Sequence, residues 1–98
     1  MILQEGFIIV AKDSEGTEVY CYSDRLSGGY PDFSYELLLD SHCQNRMVWK
    51  TKETAENYIQ RYGKYMTSVY KVVKGEHIVL PVHDLKIKPF KITFTWKR

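Results

Sequence analysis

The residues that could do chemistry in this chain are two cysteines, three histidines and a scatter of acids. Cys21, His42, Cys43, His77 and His83 are the metal-ligating types, and none stands in a Cys-x-x-Cys or His-x-x-x-His spacing. His42 and Cys43 are neighbours, which on a strand point to opposite faces. Zinc requires convergent ligands, so neither a metal nor another cofactor is expected. A thiol nucleophile, Cys21 or Cys43 with His83-Asp84 as base and orienter, would need a convergence that no spacing provides. Ser27-Gly28-Gly29 lacks the following lysine and the glycine spacing of a phosphate loop. The expectation is a non-enzymatic protein that works by binding.

Two stretches have the composition of a contact surface. Between residues 20 and 35, tyrosines and a phenylalanine alternate with serines and glycines, a mixture that recognises proteins with large rigid rings and adaptable polar groups. Tyr22, Asp24, Tyr30, Asp32, Phe33 and Tyr35 are the candidate protein-binding residues, and the two aspartates favour a basic partner. The second stretch is basic. Residues 1–49 carry eight acids and three bases, whereas residues 50–98 carry four acids and eleven bases. No acid follows Asp84, but Lys86, Lys88, Lys91, Lys97 and Arg98 do. These five are the candidate nucleic-acid contacts of an alternative reading, in which a lysine-faced strand lies along a phosphate backbone.

The elements that must position these residues read as a single domain over 1–98, in the α+β class, with about five mostly antiparallel strands. Gly6–Ala11 and Thr17–Tyr22 flank a polar turn and predict an N-terminal β-hairpin. Residues 23–35, with Gly28-Gly29 and Tyr30-Pro31-Asp32, read as a long loop. Glu36–Leu39 leans to a strand over a single helical turn, and Arg46–Lys50 reads as a short strand. Ala55, Tyr58, Ile59 and Tyr62 recur at helical spacing behind Thr51 as N-cap, which predicts one helix over about 52–63. Val69–Lys74 and His77–Leu80 form strands, the second stopping at Pro81 or lying on an edge. Phe90, Ile92, Phe94 and Trp96 alternate with Lys91, Thr93, Thr95 and Lys97 in a last strand. Its aromatic face is expected to be core and its open edge a place for homodimer pairing. The expected core is Val10, Val19, Leu38, Val48, Ala55, Ile59, Val72, Ile78, Ile92 and Phe94. No apolar run reaches membrane-spanning length, the N-terminus lacks a signal-peptide pattern, and two cysteines read as reduced thiols. A cytoplasmic protein without membrane contact is the expectation.

Three segments, Gly6–Lys12, Trp49–Ile59 and Tyr70–Lys74, resemble small accessory proteins of Gram-positive phages and prophages. That resemblance implies a protein that inhibits or redirects a host protein, such as a replication factor or a defence nuclease of a CRISPR system.

Overall fold

The computed structural model describes residues 2–24, 28–37 and 47–94, with side chains placed for 6–23, 28–37 and 47–91. Its elements are β1 (Ile2–Asp13), β2 (Glu18–Asp24), β3 (Tyr30–Ser34), α1 (Lys52–Tyr62), a 3-10 turn (Gly63–Tyr65), β4 (Ser68–Val73) and β5 (Glu76–Phe94). The strands form one antiparallel sheet in the order β3-β2-β1-β5-β4. This is the α+β architecture with an N-terminal hairpin and one principal helix that the periodicities predict.

The β1–β2 turn is held by its first residue. Asp13 Oδ1 accepts from the amides of Glu15 (2.8 Å) and Thr17 (2.9 Å), and Gly16 takes the left-handed conformation the turn needs (φ 85°). The remaining oxygen, Oδ2, accepts from the Tyr35 hydroxyl at 2.7 Å. Asp13 is thus fully buried but fully partnered, the condition under which a buried carboxylate is tolerated. The Tyr35 bond holds its carboxyl below the ordinary value of 3.8, against the opposing effect of burial.

Five strands are present among the described residues, but not all where the pattern places them. The segment read as a long loop instead continues β2 to Asp24 and returns as β3, paired from Tyr20↔Ser34 to Asp24↔Tyr30. The reading fails there because Pro31 and Asp32 are turn formers in isolation, yet at a sheet edge a missing or diverted N–H costs nothing. Glu36 and Leu37 are not in a strand, and Leu38 and Leu39 lie outside the described residues. Of the strand expected over Arg46–Lys50, Arg46 lies outside the described residues and residues 47–50 hold only an isolated bridge. Trp49 and Phe7 exchange both backbone bonds, at 2.7 and 2.8 Å, where β2 has left the side of β1. Gly6 permits this approach, since a Cβ there would fall 2.8 Å from Val48 Cγ1 and closer still to the Trp49 carbonyl.

β5 is a single strand of 19 residues where two were expected. Its first part pairs with β4 through Val73↔Glu76 to Ser68↔Pro81, and the rest pairs with β1. Pro81 does not end it, because Pro81 sits opposite Ser68, in the set of pairs that makes no ladder bonds: Val82 N–H donates to Thr67 O at 3.0 Å, which puts the bonded set one residue over. Between Val10↔Lys86 and Lys12↔His83, Ala11 faces two residues, Asp84 and Leu85. This is a β-bulge with Asp84 in the left-handed region (φ 58°), and it bends the strand.

The helix is capped as expected. Thr51 Oγ1 accepts from the Thr54 amide (3.1 Å) and Thr54 Oγ1 accepts from the Thr51 amide (3.2 Å). Its apolar stripe lies on the face of β1 that carries Ile9 and Ala11, with Val19, Cys21, Phe33, Met66 and Val69 completing the core. Ile9, Val19, Ala55 and Val69 have no exposed surface, and each large aliphatic among them contributes about 1.5–3 kcal/mol by leaving water. Of the expected core, Val10, Val19 and Ala55 are buried, and Val48, Ile59 and Ile78 are half-buried. Val72 is 61% exposed, a correction: it alternates to the outer face of the β4–β5 hairpin, with no layer over it. Leu38 and the side chains of Ile92 and Phe94 fall outside the described residues. Among the described residues, no helix is long and apolar enough to cross a membrane.

Candidate functional site

The candidate protein-binding residues separate into structure and surface. Phe33 is buried (7% exposed) in the main core, and Tyr35 is committed to Asp13. Tyr35 also lies under the Lys71 ammonium, 5.9 Å from its ring, while that ammonium reaches Glu15 at 3.4 Å. The phenol of Tyr35 is pushed up to about 12 by burial and by its bond to the Asp13 carboxylate. Tyr22 donates to Asp32 Oδ2 (3.1 Å), and Asp32 Oδ1 accepts from the Phe33 amide (2.8 Å). Both Asp32 oxygens are therefore engaged within the chain. The basic partner expected from Asp24 and Asp32 loses half its basis, and the Asp24 side chain lies outside the described residues.

Tyr30 is different. It is 45% exposed and stands edge-on to two rings that the loop reading could not supply: Tyr62 at 5.5 Å and Tyr65 at 5.0 Å between centroids. Tyr62 in turn meets Tyr58 at 4.8 Å, and Tyr58 meets Trp49 at 5.1 Å. Five aromatic side chains from β3, the helix, the 3-10 turn and the Trp49 bridge thus form one continuous run. T-shaped and tilted pairs of this kind each add about 0.5–1.5 kcal/mol beyond the area they bury.

The run is locked from below. The Gly29 carbonyl accepts from both the Tyr58 hydroxyl (2.7 Å) and Ser23 Oγ (3.0 Å), which fixes the β2–β3 connection against the helix. Burial pushes the Tyr58 phenol up to about 12, so it remains a donor across the physiological range. Gly28 and Gly29 have φ of 78° and 89°, a conformation closed to most side chains, and they deliver the chain into Tyr30. Ser23, Gly29, Trp49, Asn57, Tyr58 and Arg61 line an open groove of about 350 Å³ beside the run.

Two cations flank it. Arg61 lies 5.4 Å from the centre of the Tyr62 ring and Lys64 lies 5.1 Å from that of Tyr65. Among the described residues neither has a carboxylate partner. Tyr62 and Tyr65 belong to the site but escaped the sequence reading, because the helical stripe assigns Tyr62 to the core and Tyr65 follows a helix-stopping glycine. Their nearness to Tyr30 is a long-range contact with no local signal.

The basic residues do not form one face. Lys86 and Lys88 sit opposite Val10 and Ile8, whereas Lys91, opposite Glu5, alternates to the other side of β5. Phe90 shares the side of Lys86 and Lys88 and is half-buried, and Lys91 lies on the opposite face from it, as the alternation predicts. Lys12 joins Lys86 and Lys88 around a cleft of about 210 Å³, but Glu18 and Asp84 line it too, and Lys88 Nζ is bound to Glu18 at 2.9 Å. Lys97 and Arg98 lie outside the described residues.

Among the described residues no group of three His, Cys, Asp or Glu side chains could hold a metal ion. Cys21 is buried, and burial together with the nearby Asp32 charge pushes its thiol up to about 12. The thiolate that nucleophilic chemistry needs is then scarce at neutral pH. His83 Nδ1 lies 2.9 Å from Asp84 Oδ2, both side chains being more than half exposed at the bulge. The chain matches no known protein family, curated protein or solved structure.

Proposed function

We propose that this chain is a non-enzymatic protein-binding module whose contact surface is the aromatic run centred on Tyr30, Tyr62 and Tyr65. The observation that carries this reading is the exposure of Tyr30 and Tyr65, 45% and 47%, on a locked scaffold beside two cations that have no carboxylate partner among the described residues. Tyrosine and arginine are the side chains most often found at energetic centres of interfaces. A rigid presentation lowers the ordering cost of association. Arg61 and Lys64 suit an acidic, partly apolar partner surface. The resemblance to phage accessory proteins makes a host protein the partner class, and the chain its inhibitor or modulator. A defence nuclease or a replication factor would be such a host protein.

A nucleic-acid partner is the weaker reading. The faces of Tyr62 and Tyr65 are occupied by cations, whereas base stacking needs them free, and the cleft of Lys12, Lys86 and Lys88 is half neutralised by Glu18 and Asp84.

Capture from host lysate with the immobilised chain, with and without nuclease, tests the proposal. Wild type should retain a protein despite nuclease. A Tyr30→Ala/Tyr65→Ala variant should lose it, with affinity down on the order of 1,000-fold at about 2 kcal/mol for each of the two lost anchors. Equal retention by the variant would dismiss the aromatic surface. Capture abolished by nuclease and falling steeply with salt would favour the nucleic-acid reading.

A further inference from the structure

The groove of about 350 Å³ beside the aromatic run lies between α1 and the β2–β3 connection. Three hydroxyls in its lining have given their protons inward. Ser23 and Tyr58 both donate to the Gly29 carbonyl, at 3.0 and 2.7 Å. Thr54 donates to the Thr51 carbonyl at 2.8 Å, within the helix cap. The Gly29 carbonyl has both lone pairs filled and is no acceptor for a ligand. The Trp49 indole, the Asn57 amide, the Arg61 guanidinium and the Tyr62 hydroxyl have no acceptor among the described residues. The groove is therefore a surplus of donors.

The one charge among its described lining residues is positive. Arg61 has no acid at helical spacing: Asn57 and Tyr58 precede it by one turn, and Lys64 and Tyr65 follow it by one. Glu56 is paired with Lys52 at 4.0 Å, and neither Glu53 nor Glu56 lines the groove. The guanidinium is held 5.4 Å from the centre of the Tyr62 ring. Placed on a ring face, an arginine keeps its N–H edge free, and that edge grips a carboxylate bidentately. Trp49 and Tyr58, 5.1 Å apart, supply an apolar wall beside it.

We infer that this groove seats an aspartate or glutamate side chain of the protein partner, with an apolar residue of the same segment against Trp49 and Tyr58. It rests on the protein-binding reading above and names the residue type that meets Arg61. The carboxylate accepts from Arg61 and Asn57, donors otherwise left to water. A phosphate suits the groove less, since phosphate-reading sites gather several arginines and one lines this groove. A chain's terminal carboxylate is taken by successive backbone N–H groups, whereas the unspent donors named here are on side chains.

The test uses the full chain, isotopically labelled in nitrogen, and the dipeptide acetyl-Phe-Glu-amide at low salt. The Trp49 indole and Asn57 amide cross-peaks should shift and saturate, with Kd of about 1 mM. The neutral acetyl-Phe-Gln-amide, of the same shape, should bind about 10- to 100-fold more weakly, the loss of one charge-assisted pair. Arg61→Gln, at an exposed helical position, should lose the same factor and keep the circular dichroism of wild type. Should that variant fail to fold, the two dipeptides on wild type decide alone. Absence of a saturable shift up to about 10 mM, equal binding of the neutral dipeptide, or undiminished binding by Arg61→Gln overturns the inference. Tighter binding of acetyl-phenylalanine through its free carboxylate, or of phenyl phosphate, overturns it in favour of a chain end or a phosphate. Failure of the dipeptide, with lysate capture still dependent on Tyr30 and Tyr65, strikes the groove and leaves the aromatic surface standing. A bound dipeptide with no protein captured from lysate strikes the protein-binding reading and leaves the groove a carboxylate site.

Discussion

Gly6→Ala is the substitution that most directly links the sheet to the aromatic run. The new methyl would lie 2.8 Å from Val48 Cγ1 and nearer still to the Trp49 carbonyl oxygen, which is backbone and cannot rotate away. Relief requires the 48–49 segment to retreat from β1. The two Phe7–Trp49 bonds, at 2.7 and 2.8 Å, then lengthen or break, at about 1 kcal/mol each. Strain from overpacking adds about 1–3 kcal/mol. The sum, about 3–5 kcal/mol, is a large share of the 5–15 kcal/mol typical of a domain. At about 4–8 °C per kcal/mol for this size, the Tm should fall by about 12 °C or more. Trp49 also anchors the entry to the helix and contacts Tyr58 at 5.1 Å, so near-UV circular dichroism should weaken in the folded variant. Thermal unfolding followed at 222 and 280 nm measures both. A Tm within about 4 °C of wild type, with the aromatic signal unchanged, would refute the argument that Gly6 is needed for close approach.

Three further outcomes follow from the buried ionisable groups. Tyr35 and Tyr58 both ionise near 12 in the fold. Since their native values are raised, their contribution to stability is complete below the unfolded value of about 10 and is lost as pH climbs toward 12. Absorbance titration should show a late step of two of the eight tyrosines, absent from Tyr35→Phe/Tyr58→Phe. Asp13 has its value lowered, so its contribution is present above the ordinary 3.8 and disappears as pH falls through the native value. Asp13→Asn should flatten the acid limb of a stability–pH curve measured by urea unfolding, and an unchanged limb would remove Asp13 as its cause. The Cys21 thiol, pushed up to about 12, should resist a thiol reagent at pH 8 in a Cys43→Ser background and react at once in denaturant. Rapid reaction of the native protein would show that Cys21 is accessible after all.

Local pattern was sufficient for what local energetics decide. The β-formers of Gly6–Ala11, the alternation in Thr17–Tyr22, the polar turn between them, and Thr51 ahead of a 3.6-residue stripe specify a hairpin and a capped helix, because each rests on contacts within a few residues. What the sequence could not decide was which residues meet across the sheet. Pro31 and Pro81 read as breakers until their nitrogens prove to face away from the ladder. Val72 reads as core until its strand proves to be the outermost one. Tyr22, Phe33 and Tyr35 carried the composition of a binding loop, yet folding spends them on Asp32, the core and Asp13. Tyr30 alone of those aromatics keeps an exposed ring, and only because β3 returns beside the helix does it stand against Tyr62 and Tyr65. Composition supplied an excess of tyrosines. Long-range pairing decided which of them are free to bind, because exposure is set by what packs against a side chain and not by its neighbours in sequence.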